Sequence, residues 1–450
     1  MPKRALEPAA AQVFNTYGNI GAMNNNFAAP AAAAAESSSV ATAVPVAAAA
    51  AAPAPAPKRK RAKGTIAPHA SAVDSAYSKL FQNVPLPQGS CHGLKMYVYD
   101  LPEYVVVDTL NDATRAIGID CLLGHCNASF GSSMYTYTGE LFVLRRLLAQ
   151  CTRVRRPLLA DFFLVPFPLS VWRVAGWYGK RSVPKVLKVL AEHLVHMSNA
   201  TAHKHVFLDT NDALFLMHSE NLPHINRAIV VHLGPDFWSG RMRDPWTLVR
   251  QELFERSIIA PYRSHVSEDC WRPEADRPVA MFGALNTKRH PIRIMLIGHF
   301  AAQGDPATHV KPMSDFAELS DTAAWMQRSK YCLAPAGDTP SVTQRFVSAV
   351  ACGCVPVFLD PYTRIGASED SNPALSATFP LHRTIDWSHA AVRASATFWK
   401  TPSSRLVPVG GSARMWSVPK KLSRRVTYNL QRLDDASQGV LDEMHILLKL

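Results

Sequence analysis

Hydrophobic and polar positions divide this chain into three textures. Up to residue 75 neither a helical nor a strand period holds, and the run AAPAAAAAESSSVATAVPVAAAAAAPAPAPKRKRAKG is rich in Ala, Pro and Ser. Such a stretch cannot bury enough surface to offset the entropy of ordering it, so 1–75 reads as a disordered tail. From Lys95 short apolar runs alternate with helical spacing. KMYVYDLP (95–102) predicts a strand ending in a turn, and GELFVLRRLLAQC (139–151) a helix. ADFFLVPFP (160–168) predicts a strand stopped by Pro166 and Pro168, and VPKVLKVLAEHLVHMSN (183–199) an amphipathic helix. KHVFLDTND (204–212), RAIVVHLGPD (227–236) and RSIIAPY (256–262) read as further strands.

The polar segment SEDCWRPEADRP (267–278) marks a boundary, after which the alternation restarts. VAMFGAL (279–285) predicts a strand, HPIRIMLIGHFAA (290–302) a helix, then a loop and the helix DTAAWMQRS (321–329). The strand KYCLA, a helix over 340–351 and the strand CVPVFL (354–359) follow. Strands alternating with helices imply parallel sheets with crossover helices. The expected fold class is α/β: two Rossmann-like domains, 90–270 and 275–450, with a cleft between them.

Composition changes this picture little. Apolar residues make up 48% of the 450, enough for a sizeable core. The net charge is +13, of which the first 63 residues, with seven Lys/Arg and two Glu, carry +5. The basic balance of the folded part suits an anionic ligand or polymer, and equally an ordinary basic surface. No run of strongly apolar residues long enough to span a membrane occurs. The eight cysteines contain no CxxC pair, which argues against a zinc ribbon. Cys121 and Cys126 are candidates for one disulfide, with Cys91 and Cys270 available for others. Cys332, Cys352 and Cys354 lie in apolar runs and read as buried thiols. Asn127-Ala-Ser129 and Asn199-Ala-Thr201 are glycosylation sequons, a slight indication of a secretory lumen.

The segment CLAPAGDTPSVTQRFVSAVACGCVPVFLDP (332–361) concentrates the candidate chemistry. Thr339 is placed to cap a helix with Pro340 at its first position, and Ser341 with Gln344 offers an alternative capping box. Val342, Phe346, Ala349 and Val350 share one face, and Gly353 is a stop. A helix start at the carboxyl end of a parallel strand offers free N–H groups to a phosphate. By pattern alone this is an ordinary crossover, with neither GxGxxG nor a P-loop.

The same segment resembles the C-terminal signature of the exostosin-family glycosyltransferases, including their plant cell-wall branch. Pro335, Ala336, Gly337, Asp338, Thr339, Pro340 and Arg345 match it, as do Gly353, Cys354, Val355, Pro356 and Val357. KMYVYDLP, YTGELFVLRRLL, ADFFLVPFP, RSIIAPY and TIDWS resemble further landmarks of that family in the same order. The resemblance implies a GT-B fold and inverting transfer of a sugar from a nucleoside-diphosphate sugar to a glycan or glycoprotein hydroxyl. It implies no essential metal, in keeping with the absence of any Asp-x-Asp, and no cofactor. Lys288, Arg289 and Arg293 then join Gly337, Asp338, Thr339 and Arg345 as expected donor-binding residues. Family members usually carry Glu or Asp at the position of Ser348, where a carboxylate accepts ribose hydroxyls. The serine keeps open an alternative, a catalytically silent exostosin-like subunit or glycan-binding protein.

The base that takes the acceptor's proton is expected at a strand end of the first domain. Asp212 resembles a frequent Asp of the family; His205, Asp209, His232 and Asp236 are rivals. Asp161 reads as a structural residue at a strand start. The histidines 193, 196, 203 and 205 read as a surface helix with its neighbours rather than a metal site. The resemblance also implies a Golgi location in polysaccharide biosynthesis or protein glycosylation. A homo- or hetero-dimer is compatible with it, and nucleic acid is disfavoured as a partner. The basic run PKRKRAK (57–63) supports a nuclear or cytoplasmic alternative.

Overall fold

A computed structural model of the chain describes residues 72–81, 89, 91–123, 133–175, 182–211, 219–234, 256–273, 276–287, 291–335, 343–360, 379–387, 390–395, 418–429 and 431–449. Two all-parallel sheets organise them. The first has the order β2-β1-β3-β4-β5-β6, built from β1 (Lys95–Val98), β2 (Thr152–Arg153), β3 (Phe162–Leu164), β4 (His205–Asp209), β5 (Ile229–His232) and β6 (Ser257–Ile259). The second has the order β11-β10-β9-β7-β8, from β7 (Val279–Leu285), β8 (Thr308–Pro312), β9 (Ser329–Pro335), β10 (Val355–Asp360) and β11 (Val392–Ser395). The order reverses beside the first strand of each sheet, a topological switch point where α/β proteins place ligands. The α/β class and the two Rossmann-like sheets expected from the sequence are both present.

Among the described residues of the first half, the helices beside the first sheet are α1 (Ala72–Leu80), α2 (Glu103–Ile117), α3 (Ile119–Leu123), α4 (Gly139–Gln150), α5 (Leu169–Ala175) and α6 (Val183–His193). Helix α1 begins inside the stretch expected as tail. Its Tyr77 is buried and donates to the Pro166 carbonyl at 3.3 Å, and Phe81 beyond it is fully buried. Helix α2 was not legible because its Val105-Val106-Val107 run reads as strand. It forms because Val105, Val106, Thr109, Leu110 and Ala113 make one buried stripe. Helix α6 stops at His193, short of the expected residue 199. Polar side chains close a turn there: Thr201 Oγ1 donates to the His196 carbonyl at 2.5 Å and accepts the Ser198 N–H at 3.0 Å. His196 therefore lies beyond the helix, its ring centroid 5.2 Å from that of Tyr97.

The second sheet carries α7 (Pro291–Gln303), α8 (Leu319–Arg328) and α9 (Gln344–Ala351). Strand β8 occupies part of the expected loop between α7 and α8. Helix α9 starts at Gln344 with Thr343 in the cap position, later than the start expected at Thr339 or Ser341, residues outside those described. The chain then returns through α10 (Lys420–Val426) and α11 (Ala436–Lys449). Ser423 Oγ of α10 donates to the Ala351 carbonyl at the end of α9, and α11 packs on α4, β5 and β6 of the first sheet. A buried ion pair, Arg146 to Asp435 at 3.1 Å, fastens that return to α4. The C-terminal return therefore touches elements of both sheets.

The cysteines correct the sequence reading. Cys91–Cys151, Cys270–Cys352 and Cys332–Cys354 are disulfides, so the three residues expected as buried thiols are all oxidised. Their apolar setting shows burial and says nothing of pairing. Cys121 is also disulfide-bonded; Cys126 lies outside the described residues.

Candidate functional site

The switch point of the second sheet lies between β7 and β9. Arg345, in the first turn of α9, reaches back over it and donates from Nε to the Ala284 carbonyl of β7 at 2.7 Å. Arg293 of α7 is buried and donates to the carbonyl of Asn286, just past the end of β7, at 3.3 Å. Burial and the neighbouring Arg293 lower the Arg345 pKa to about 9. Two neighbouring guanidinium groups at strand ends, with the α9 start beside them, fall where the sequence reading expects the seat of a phosphate.

Below this seat the structure supplies residues that the sequence did not announce. Ser348, one turn after Arg345, is fully buried; its Oγ lies 2.9 Å from Ser264 Oγ and 3.4 Å from His265 Nδ1. Ser264 Oγ also accepts the Val266 N–H at 3.1 Å. The His265 Nε2 lies 3.4 Å from Thr322 Oγ1 of α8. Burial and then the Arg345 charge lower the His265 pKa to about 4, so the ring is neutral at pH 7. The space beside Ser348 is thus occupied by a hydroxyl and a neutral imidazole.

The segment after β6 joins this site to the first sheet. Gln344 Nε2 donates to Tyr135 OH at 3.0 Å and to the Arg263 carbonyl at 3.4 Å. Arg263 is buried, with Nη1 within 2.9 Å of the Cys121 and Leu122 carbonyls and the Thr138 hydroxyl, over the Phe142 ring. Gln344 thus ties the start of α9 to Tyr135 and to the Arg263 backbone, while the Arg263 guanidinium is held by groups beside the first sheet.

At the carboxyl edge of the first sheet, Asp209 of β4 stands opposite His232 of β5, both buried. Asp209 Oδ1 accepts the Ser170 hydroxyl at 3.1 Å. Gly234 N–H donates to His232 Nδ1 at 3.0 Å, which places the proton of the neutral ring on Nε2. Burial lowers the His232 pKa to about 4. Behind them Glu140 of α4 is fully buried and accepts the Val171 N–H at 2.8 Å and the Thr210 N–H at 3.2 Å. Burial raises its pKa well above the usual carboxylate range. An acid inside the otherwise apolar GELFVL run was the sequence signal for this clamp.

Arg293, Arg345 and Ser348 of the expected donor site therefore fall in one region. Lys288, Arg289, Gly337, Asp338, Thr339, the base candidate Asp212 and its rival Asp236 lie outside the described residues. His205 sits level with Phe163, below the carboxyl edge, its ring taken by Tyr99 OH at 2.8 Å and the Thr201 carbonyl at 2.9 Å. Asp161 accepts the Lys95 N–H at 2.7 Å, a structural contact at the start of β3.

Comparison with known proteins assigns the class. Residues 90–405 match the Exostosin GT47 domain, and the chain belongs to that family. A particular relative is the Arabidopsis thaliana protein named Xyloglucan-specific galacturonosyltransferase 1, 22% identical over 324 residues. The match covers 61% of this chain and 45% of that relative, so the chain spans less than half of its length.

Proposed function

We propose that the chain is a glycosyltransferase that moves a sugar from a nucleoside-diphosphate sugar to a glycan or glycoprotein hydroxyl, with inversion at the transferred carbon. The observation that carries this reading is the pair Arg293 and Arg345 at the switch point of the second sheet. The leaving diphosphate gains negative charge as the glycosidic bond breaks, and two fixed guanidinium groups stabilise that charge without reorganising. Lys288, Arg289 and the loop Gly337–Thr339 extend the seat in this proposal. Asp212, shortly after β4, is the proposed base. His232 is poorly suited, because its Nδ1 is occupied and its Nε2 already carries the proton. The disulfides support folding in an oxidising compartment, in line with a Golgi location.

Calorimetry with UDP and GDP tests the seat. The wild type should bind one of them, and Arg345→Ala and Arg293→Ala should each lose about tenfold or more in affinity, since charge-assisted contacts are worth roughly 1.5–3 kcal/mol. Unchanged affinity in both folded variants removes the diphosphate role. Product analysis with a panel of nucleoside-diphosphate sugars and xyloglucan-type acceptors then tests transfer itself.

A further inference from the structure

Between the end of α6 at His193 and the start of β4 at His205 the chain makes a polar turn. Met197 N–H donates to the Leu194 carbonyl at 2.8 Å, and Ala202 N–H to the Ser198 carbonyl at 2.8 Å. Thr201 Oγ1, through the contacts to Ser198 and His196 described above, closes the turn from a side chain. Ser198, Asn199 and Ala200 are its exposed tip. The tip and Thr201 together form the sequon Asn199-Ala-Thr201. The other sequon, at Asn127, lies outside the described residues.

A sequon alone arises often by chance. Here the geometry adds to it. One contact holds the Asn199 carboxamide: Arg227 Nη1 donates to its Oδ1. A guanidinium has donors only, so the carbonyl oxygen faces Arg227 and the amide nitrogen points away from it. Among the described residues Nδ2 has no hydrogen-bond partner. The atom through which an N-linked glycan attaches is thus the free one, on an exposed side chain, and attachment there leaves the Arg227 contact intact. The redox state is a second, independent observation. Cys91–Cys151, Cys270–Cys352 and Cys332–Cys354 are all paired, as in a chain that folds in the oxidising lumen where such glycans are added.

We propose that Asn199 is a site of N-linked glycosylation, modified by an oligosaccharide from a lipid-linked pyrophosphate donor; this rests on the lumenal location given above. In the transfer a bond forms between Asn199 Nδ2 and C1 of the first sugar. The bond from C1 to the pyrophosphate oxygen breaks, the pyrophosphate leaves with the electron pair, and one amide proton passes to a base of the transferring enzyme. The Thr201 hydroxyl, which such enzymes read, is engaged in the folded turn, so the transfer precedes its closure. The finished glycan is bulky and belongs on a surface. It stands at the amino end of β4, whereas Asp209 and the proposed acceptor side lie at the carboxyl end, so the approach of a second glycan stays open.

Peptide mapping of the full chain purified from its own cells, with free thiols blocked first, tests the proposal. The peptide holding residue 199 should carry a glycan, and amidase removal of that glycan should leave an aspartate at position 199. Asn199→Gln should abolish this glycopeptide and remove one glycan step from the mobility of the chain on a gel. Its affinity for UDP or GDP should equal that of the wild type, because the arginine seat belongs to the second sheet. An unmodified Asn199 in a chain whose cysteines are paired would overturn the proposal and leave the lumenal location standing. An unmodified Asn199 in a chain with free thiols would overturn both, while nucleotide binding, measured separately, would still decide the diphosphate role.

Discussion

Arg277→Met is the sharpest test of what holds the frame of the second sheet. The Arg277 guanidinium is buried and donates to four carbonyls: Met326 at 3.0 Å, Ser329 at 2.7 Å, Arg272 at 2.6 Å and Cys352 at 2.6 Å. Two of these close the end of α8 and one the end of α9, where helix dipoles favour a cation. Methionine keeps the apolar stem and removes every donor. The Cys352 carbonyl retains the Arg272 N–H at 3.3 Å and the Met326 carbonyl retains the Ser329 N–H, so the loss falls chiefly on the other two. A buried carbonyl deprived of its partner costs about 1–3 kcal/mol, and the contributions overlap, so the variant should lose roughly 3–5 kcal/mol. Unfolding entropy near 2.1 cal/mol/K per residue over about 380 residues converts this to a fall in Tm of roughly 4–6 °C.

Gly353→Ala attacks the same lock from the other side. Gly353 has φ +78°, and an added Cβ would sit 2.6 Å from Arg277 Nη2 and 2.8 Å from Trp271 Cδ1. Strain alone costs about 1–2 kcal/mol. Displacement of the guanidinium adds a part that vanishes once Arg277 is gone, so the double variant should lose less than the sum of the singles by about 1 kcal/mol or more. Urea unfolding of the four proteins measures both quantities. A loss below about 1 kcal/mol for Arg277→Met, or strict additivity, would refute the reasoning.

Three further outcomes are expected. Ser348→Glu should lower stability by about 1–3 kcal/mol without tightening nucleotide binding, because Ser264 and His265 fill the space a longer carboxylate needs; thermal unfolding with UDP titration checks it, and tighter binding at unchanged Tm would contradict it. His232 has a pKa of about 4 when folded, below the ordinary value of 6.5. The unfolded chain therefore gains a proton there that the folded chain refuses, and this contribution to stability is complete above pH 6.5 and lost as pH falls toward 4. Against His232→Gln, the wild type should lose about 2 kcal/mol more between pH 7.5 and 5, read from urea midpoints. The Cys270–Cys352 disulfide joins residues 82 apart and Cys332–Cys354 residues 22 apart. Chain entropy makes them worth roughly 4.5 and 3.4 kcal/mol, so replacing the first pair by alanines should cost about 1 kcal/mol more.

Much of the fold was legible because it rests on local periodicity. The strand 279–285 and the helix 139–150 appear at nearly the expected limits, since apolar spacing there agrees with burial. Helix α2 and strand β8 were not legible: three valines resemble a strand, and THVKP resembles a loop until β7 pairs with it. Arg293 and Arg345 were visible through a motif, but their partners were not. Ser264 and His265 follow β6 in a stretch with no period, and only the crossing between the sheets brings them to Ser348. Disulfide pairing is a property of tertiary proximity, which is why three apolar cysteines looked like thiols.

Helix α9 would couple the proposed nucleotide binding to stability. Its first residue touches Tyr135 and the Arg263 carbonyl, its second turn holds Ser348 against Ser264, and Arg345 is tied to β7. Its far end is fixed by Arg277, by Ser423 and by the Cys270–Cys352 disulfide. The anchors lie outside α9, in several segments, so an eight-residue helix, marginal by itself, is ordered almost wholly by tertiary contacts. The same ties transmit any change in α9 to the frame, and under the proposed function they would preorganise the helix for a diphosphate. A loss of nucleotide affinity in an α9 variant is therefore evidence of contact only when unfolding measurements show the frame intact. Arg293, on the separate helix α7, is the control: its loss should weaken the anion while leaving the anchors of α9 in place.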